Sequence, residues 1–169
     1  AGIAGVLTEV PGALRLNHGF TLTARADRID VAEDGSVVIY DYKTGKPPPP
    51  KHVDELYAPQ LPLEAAIAAR GGFEGVGDAA VGGLVYIHVS GRGDGGEARP
   101  ASTRAAPEAL AQGALARLEG LIERYSDPSM PYEVKRRRGP FVRAYDYDPY
   151  EHLARVKEWL TQDAEEDFR

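Results

Sequence analysis

Two segments in the first third of the chain predict the strands of a β-hairpin. Residues 20–30 alternate polar and apolar side chains over most of their length, and residues 36–43 are rich in β-branched and aromatic side chains. Glu33-Asp34-Gly35 between them is typical of a turn. Because alternate residues of a strand share a face, Asp41 and Lys43 must point the same way.

The length of the hairpin loop decides whether the charged side chains meet. A two-residue turn at Asp34-Gly35 pairs Asp27 with Tyr42 and sends Asp41 to the opposite face of the sheet. A three-residue loop over 33–35 instead pairs Asp27 with Asp41, at ~5 Å between Cβ atoms. Gly35 suits the left-handed position that ends such a loop. We therefore predict the three-residue loop, or a bulge with the same effect.

Prolines predict where several other elements begin or end. A strand over residues 3–10 is expected to break at Pro11-Gly12 and to continue after a turn. The four prolines at 47–50 predict an exposed, extended segment. Two later prolines restrict the next helix to Leu61 onward, since proline fits only the first helical turn, and Gln60 then stands at the helix start.

Apolar spacing in the rest of the chain completes an α/β pattern. Residues 80–90 predict a strand at the centre of the sheet, and 107–125 predict a helix that covers the sheet. Pro149 is expected to open a last helix, so that 131–169 form a C-terminal arm and helix. The predicted fold is one α/β domain over 1–169, with a mixed sheet of about four to five strands flanked by helices.

Asp27, Asp41 and Lys43 suggest a site for a divalent cation. Carboxylate oxygens suit Mg²⁺, and a neighbouring lysine can orient a water molecule or help to deprotonate it. The alternative is that these groups are merely solvated, because an Asp-x-Lys triplet arises easily by chance and charged strand ends are usually exposed.

Composition narrows the possible functions. The 169 residues include no cysteine, which excludes disulfides, cysteine-ligated zinc and an iron-sulfur cluster. No apolar run approaches the ~18 residues that span a bilayer, and the first residues lack the basic flank of a signal peptide, so we expect a cytoplasmic protein without membrane contact. The chain begins with Ala1 instead of methionine, which suggests an excerpt of a longer protein.

The net charge of −6 does not favour nucleic acid, but the local charge does. Four basic residues are expected around the candidate site as DNA contacts: Arg25, Arg28, Lys46 and Lys51. A second basic run occupies residues 135–138.

The combination of motifs resembles the RecB-like branch of the PD-(D/E)XK nucleases. It consists of Ala-Asp27-Arg-Ile-Asp, the hairpin, Asp41-Tyr-Lys-Thr-Gly, and the segment 58–65 that opens a helix. The resemblance covers residues 20–69, with a looser likeness at 145–159, and is greatest to the C-terminal nuclease domain of AddB-type subunits. It implies a restriction-endonuclease-like fold and a DNA exonuclease dependent on Mg²⁺ or Mn²⁺. The implied setting is double-strand break repair and recombination, in a helicase-nuclease complex with a partner subunit.

The resemblance also implies roles for individual residues. Asp27 and Asp41 would be metal ligands, Lys43 the catalytic lysine, and Gln60 the polar residue at the head of the following helix. Glu64 stands where the family often has tyrosine. A further upstream ligand is common in the family, but the only carboxylate before the hairpin is Glu9, for which a plain surface role is favoured.

Two other functions stay open. The same fold can serve as a catalytically inactive scaffold that binds DNA or a partner subunit, with its carboxylates solvated or paired. A phosphoesterase acting on small molecules is the third reading, but the glycines of the chain form no phosphate-binding pattern. We expect the isolated 169-residue chain to be a weak nuclease or inactive, because no helix that could supply the upstream ligand fits before the first strand.

Overall fold

A five-stranded mixed sheet is the main feature of the computed structural model, which describes residues 2–91 and 96–132. The strands lie in the order β1-β2-β3-β4-β5, with β3 and β4 parallel and the other neighbours antiparallel. This confirms the predicted α/β fold with a mixed sheet flanked by helices. The strands are β1 Ile3–Arg15, β2 Thr21–Ala32, β3 Val37–Lys43, β4 Val81–Val89 and β5 Gly96–Pro100.

Three α-helices accompany the sheet, and all of these elements belong to the unit Ala1–Pro128. The helices are α1 Pro50–Asp54, α2 Gln60–Ala68 and α3 Pro107–Ser126, and a short 3-10 turn spans Asn17–Gly19. No helix among the described residues is long and apolar enough to cross a membrane. The predictions for the basic run 135–138, the helix at Pro149 and the likeness at 145–159 fall outside the described residues.

The connection between the parallel strands β3 and β4 contains α1 and α2. The helix α2 begins at Gln60, as the prolines predict, since one precedes this residue and the next lies in the first turn. The predicted exposed segment 47–50 is partly wrong. Pro47 is buried, and Pro50 is the first residue of α1, where its missing N–H group costs nothing.

The hairpin loop has the predicted odd length. The Ala32 N–H group donates to the Ser36 carbonyl at 2.8 Å, and the ladder continues through Val31–Val37 to Arg28–Tyr40. The three loop residues therefore lie between a paired Ala32 and Ser36, and Gly35 has a φ of 81°. This register carried one step further brings Asp27 opposite Asp41.

The predicted break in the first strand is wrong, because β1 runs without interruption past Pro11-Gly12. It is an edge strand of the sheet, where a proline is tolerated. The glycine serves packing instead of a turn, since a Cβ atom at Gly12 would lie 2.4 Å from the Phe73 ring. The segment around Phe73 is also hydrogen-bonded to the outer edge of β1, where the Glu74 N–H group donates to the Pro11 carbonyl at 3.1 Å.

Predictions for the second half of the described chain hold in outline. The strand expected over 80–90 is β4, which lies inside the sheet between β3 and β5. The helix expected to cover the sheet is α3, but it packs mainly against α2. Its apolar face is buried only near the start, at Leu110 and Ala114, whereas Leu121 and Tyr125 are exposed.

We expect Gly35→Ala to lower the free energy of unfolding by about 1 kcal/mol, because an L-residue is strained at this positive φ. Gly45→Ala is the matched control, since a Cβ atom there meets no other atom within 4 Å and φ is not positive. Urea denaturation of both variants measures the difference. Equal destabilisation by the two changes would contradict the role of Gly35 in setting the loop.

Candidate active site

The buried carboxylate of Asp41 is the centre of the candidate site. It follows Val37 and Ile39 on the face of β3 that packs into the core, and it is 3% exposed. Lys43, two residues further on, places its Nζ 2.8 Å from Asp41 Oδ2 and donates a hydrogen bond to Oδ1 at 3.0 Å. Asp41 and Lys43 therefore form an ion pair on one face of β3.

Gln60 joins the site from the first turn of α2. Its Nε2 donates to Asp41 Oδ1 at 2.6 Å, and its Oε1 accepts from Lys43 Nζ at 3.0 Å. The structure thus brings together three of the four residues predicted as catalytic. The Gln60 side chain therefore faces the carboxylate and the lysine.

Asp27 lies on β2 beside this group and is half-buried. Its Oδ2 accepts a hydrogen bond at 2.8 Å from the backbone N–H group of Tyr42, the residue between Asp41 and Lys43. The Asp27 carboxylate is therefore fixed against the end of β3, at the same end of the sheet as Asp41.

Glu64 is a second buried carboxylate whose importance the sequence analysis missed. It lies one helical turn after Gln60, is 4% exposed, and accepts a hydrogen bond from Gln60 Nε2 at 3.2 Å through Oε1. Its Oε2 has no hydrogen-bond partner in the part of the chain that the structure describes. The available signal was a carboxylate inside the apolar run 61–68, four residues from a candidate site residue.

Burial raises the pKa of Glu64 to about 7. The negative charges of Asp41 and Asp27 raise it further, while the hydrogen bond from Gln60 and the charge of Lys43 oppose the shift. The charges of Asp27, Asp41 and Lys43 therefore all act on Glu64.

Tyr86 lies on β4 beside the site. It is the partner of Asp41 in the register of the parallel strands β3 and β4. The side chain is 2% exposed, and burial raises the pKa of its phenol, with further contributions from the charges of Asp41 and Glu64. Tyr86 therefore stays neutral beside the carboxylates.

The chemistry of the donor set fits a divalent cation. Carboxylate oxygens are the preferred ligands of Mg²⁺ and Mn²⁺, and the orphaned Glu64 Oε2 is a buried acceptor in need of a partner. Over residues 2–91 and 96–132, no three His, Cys, Asp or Glu side chains already stand arranged to hold a metal ion. Lys43 and Gln60 instead compensate the charge of Asp41, and Tyr42 holds the Asp27 carboxylate.

The four basic residues expected to contact DNA divide into two groups. Arg25, Lys46 and Lys51 are exposed. Arg28 points to the opposite face, where it forms a bidentate pair with Asp30 at 2.6 and 2.8 Å. Its guanidinium also lies 5.1 Å from the centre of the Tyr40 ring. Arg28 is thus engaged by Asp30 and Tyr40, on the face opposite to Asp27 and Asp41.

Glu9 lies opposite Asp27 in the β1–β2 register, between the pairs Thr8–Arg28 and Val10–Ala26. It is exposed and has a φ of 52°, an uncommon value for a glutamate within a strand. Its backbone carbonyl accepts a hydrogen bond from Arg25 at 3.4 Å.

Comparison with known proteins gives one family and several bacterial relatives. The family model of the PD-(D/E)XK nuclease superfamily matches residues 3–141. Uncharacterized proteins of Rickettsia typhi and Rickettsia conorii are 37% and 35% identical to the chain over 68 residues, which are 38% of this chain. The matched region is 8% of the length of each relative. No solved structure matches the chain.

In metal-free buffer, we expect Glu64 to make the free energy of unfolding fall as the pH rises from about 4.5 to about 7. The pKa of Glu64 is higher in the folded protein than in the unfolded chain. The contribution of Glu64 to stability is therefore complete below the pKa of the unfolded state, and it is lost as the pH rises through the pKa of the folded state. Glu64→Gln removes this dependence. The stability difference between the two proteins should change by on the order of 3 kcal/mol across this interval.

Chemical denaturation at several pH values measures this difference. Glu74→Gln is the control, because Glu74 is an exposed glutamate whose replacement leaves the buried group in place. Parallel pH profiles for wild type and Glu64→Gln would show that Glu64 titrates normally in the folded protein.

Proposed function

The chain belongs to the PD-(D/E)XK nuclease superfamily, and on that basis we propose that it hydrolyses phosphodiester bonds of DNA with Mg²⁺ or Mn²⁺. The observation that carries this proposal is the contact of Asp41 with both Lys43 and Gln60. A buried carboxylate, an ammonium and an amide converge there at 2.6 to 3.0 Å, at the end of the sheet where Asp27 is also fixed.

Asp27 and Asp41 are the residues that would hold the metal ion. When bound, the ion supplies a Lewis acid for a phosphate oxygen and lowers the pKa of a water molecule. Lys43, whose side chain is one-third exposed, can reach both the carboxylate and a phosphate at the surface. Its ammonium stabilises the charge that develops on the phosphate oxygens as the water oxygen attacks phosphorus and the bond to the leaving sugar oxygen breaks. Gln60 positions Asp41 and Lys43.

Exposed basic side chains on the segments that carry the site residues support DNA as the substrate. Arg25, Lys46 and Lys51 are at the surface, and phosphate contacts of this kind provide affinity without reading the base sequence. Arg28 is left out of this proposed contact surface because Asp30 and Tyr40 engage it on the other face.

The proposed cellular role is that of an exonuclease module in a helicase-nuclease complex that acts in double-strand break repair and recombination. It rests on the resemblance of residues 20–69 to AddB-type nuclease domains. The large size of the bacterial relatives agrees with a module in a much longer protein. A partner subunit and further DNA-binding surface would then lie elsewhere in the assembly.

A catalytically inactive scaffold is the second candidate function, and one observation favours it. Asp41 is already compensated by Lys43 and Gln60, as in a structural ion pair. Calorimetric titration of MgCl₂ or MnCl₂ into wild type and Asp41→Asn separates the two functions. The nuclease requires binding that the variant loses, whereas the scaffold requires none.

We expect Lys43→Ala to reduce metal-dependent cleavage of DNA by at least about 100-fold, because lysine acts on the transition state and not as a ligand. The variant should still bind the metal ion, although the loss of the ion pair with buried Asp41 lowers its free energy of unfolding. Cleavage of linear DNA by the full-length protein, with Arg104→Ala as the charge-matched control at an exposed site, measures the effect. Wild-type cleavage rates in Lys43→Ala would rule out this role.

A further inference from the structure

Glu64 is a carboxylate that the proposed mechanism does not yet use. Its burial is nearly complete, at 4% exposed, and its Oε2 lacks a hydrogen-bond partner among the described residues. An unpartnered acceptor of this kind is costly in a protein interior unless a ligand satisfies it. A cation bound at this position would satisfy the free oxygen.

Gln60 shows where that partner would sit. Its Nε2 donates both to Asp41 Oδ1 at 2.6 Å and to Glu64 Oε1 at 3.2 Å. One amide nitrogen thus lies between two carboxylates, so the two accepting oxygens are at most about 6 Å apart. A small cation bound at the other oxygens of these carboxylates, Asp41 Oδ2 and Glu64 Oε2, would leave both hydrogen bonds of Gln60 in place.

The number of oxygen ligands that a divalent cation needs is an independent reason for a third carboxylate. Asp27 and Asp41 offer only two acidic side chains, and hard divalent cations are usually held by several oxygen ligands. Glu9, the acidic residue upstream of the hairpin, is exposed, whereas Glu64 is buried next to Asp41 and shares Gln60 with it.

We propose that Glu64 completes the metal site as a third carboxylate ligand, delivered from α2 instead of from the part of the chain before the hairpin. This assignment rests on the proposed function. Gln60 then acts as a positioning residue that holds Asp41 and Glu64 toward one point.

The test is the affinity for MgCl₂ and MnCl₂, measured by titration calorimetry and by the shift of the thermal midpoint that each salt produces. Three variants each remove one carboxylate with little change of shape: Glu64→Gln, Asp41→Asn and Glu9→Gln. We expect Glu64→Gln and Asp41→Asn to weaken binding by at least about tenfold, because each loses a charged ligand. Glu9→Gln should bind as the wild type does.

Thermal unfolding in the presence of a chelator is the folding control. Glu64→Gln should unfold at or above the wild-type temperature there, since it replaces an unsatisfied buried acid by an amide. Glu64→Leu provides a second variant of similar volume that also lacks the carboxylate. Loss of metal binding in either folded variant supports the assignment.

The other outcomes separate the two proposals. If Asp41→Asn loses affinity while both Glu64 variants bind as the wild type does, the Glu64 assignment is wrong and the proposed nuclease site stands. If Glu9→Gln loses affinity in place of the Glu64 variants, the third ligand is Glu9. If wild type binds neither salt, the proposed function fails and the Glu64 assignment falls with it.

Discussion

The burial of the Asp41 carboxylate is the constraint on which the rest of the structure depends. A charge in a protein interior is strongly unfavourable unless nearby groups compensate it, and here compensation comes from two directions. Lys43 is supplied by the strand itself, because a spacing of two keeps it on the same face. Gln60 is supplied by the first turn of α2. Strand β3 and the connection from β3 to β4 thus each supply one group that compensates the Asp41 charge.

Glu64 makes this arrangement less favourable for stability than it could be. Glu64 is a second acid beside Asp41, with Gln60 between them, and burial makes its ionised form unfavourable there. An apolar side chain in this position would extend the core formed by Leu61, Ala65 and Ile67. Proteins commonly retain such unfavourable groups where function requires them. A functional role therefore explains a glutamate at this position better than a role in packing does.

The sequence predicted the features that depend on neighbouring residues. Alternation and the glycine of the loop were enough for the hairpin register, and prolines were enough for the start of α2, because both signals act over a few residues. The errors concern contacts between distant segments. Pro11-Gly12 looked like a turn because the Phe73 ring that requires this glycine is about sixty residues away. The burial of Glu64 depends on how α2 packs, and all five residues of β5 are exposed, so that strand carries no alternating pattern.

The parallel pairing of β3 with β4 has a consequence for the order in which the protein folds. The hairpin closes between nearby residues, whereas most contacts of α2 with other elements form only after the chain has extended as far as β4 and α3. Contacts between distant segments form slowly because the intervening loop must first be closed. An incomplete chain therefore carries Asp27, Asp41 and Lys43 without Gln60 and Glu64 in position. In a nuclease, this sequence of events would delay the capacity to cut DNA until synthesis and folding of the domain are complete.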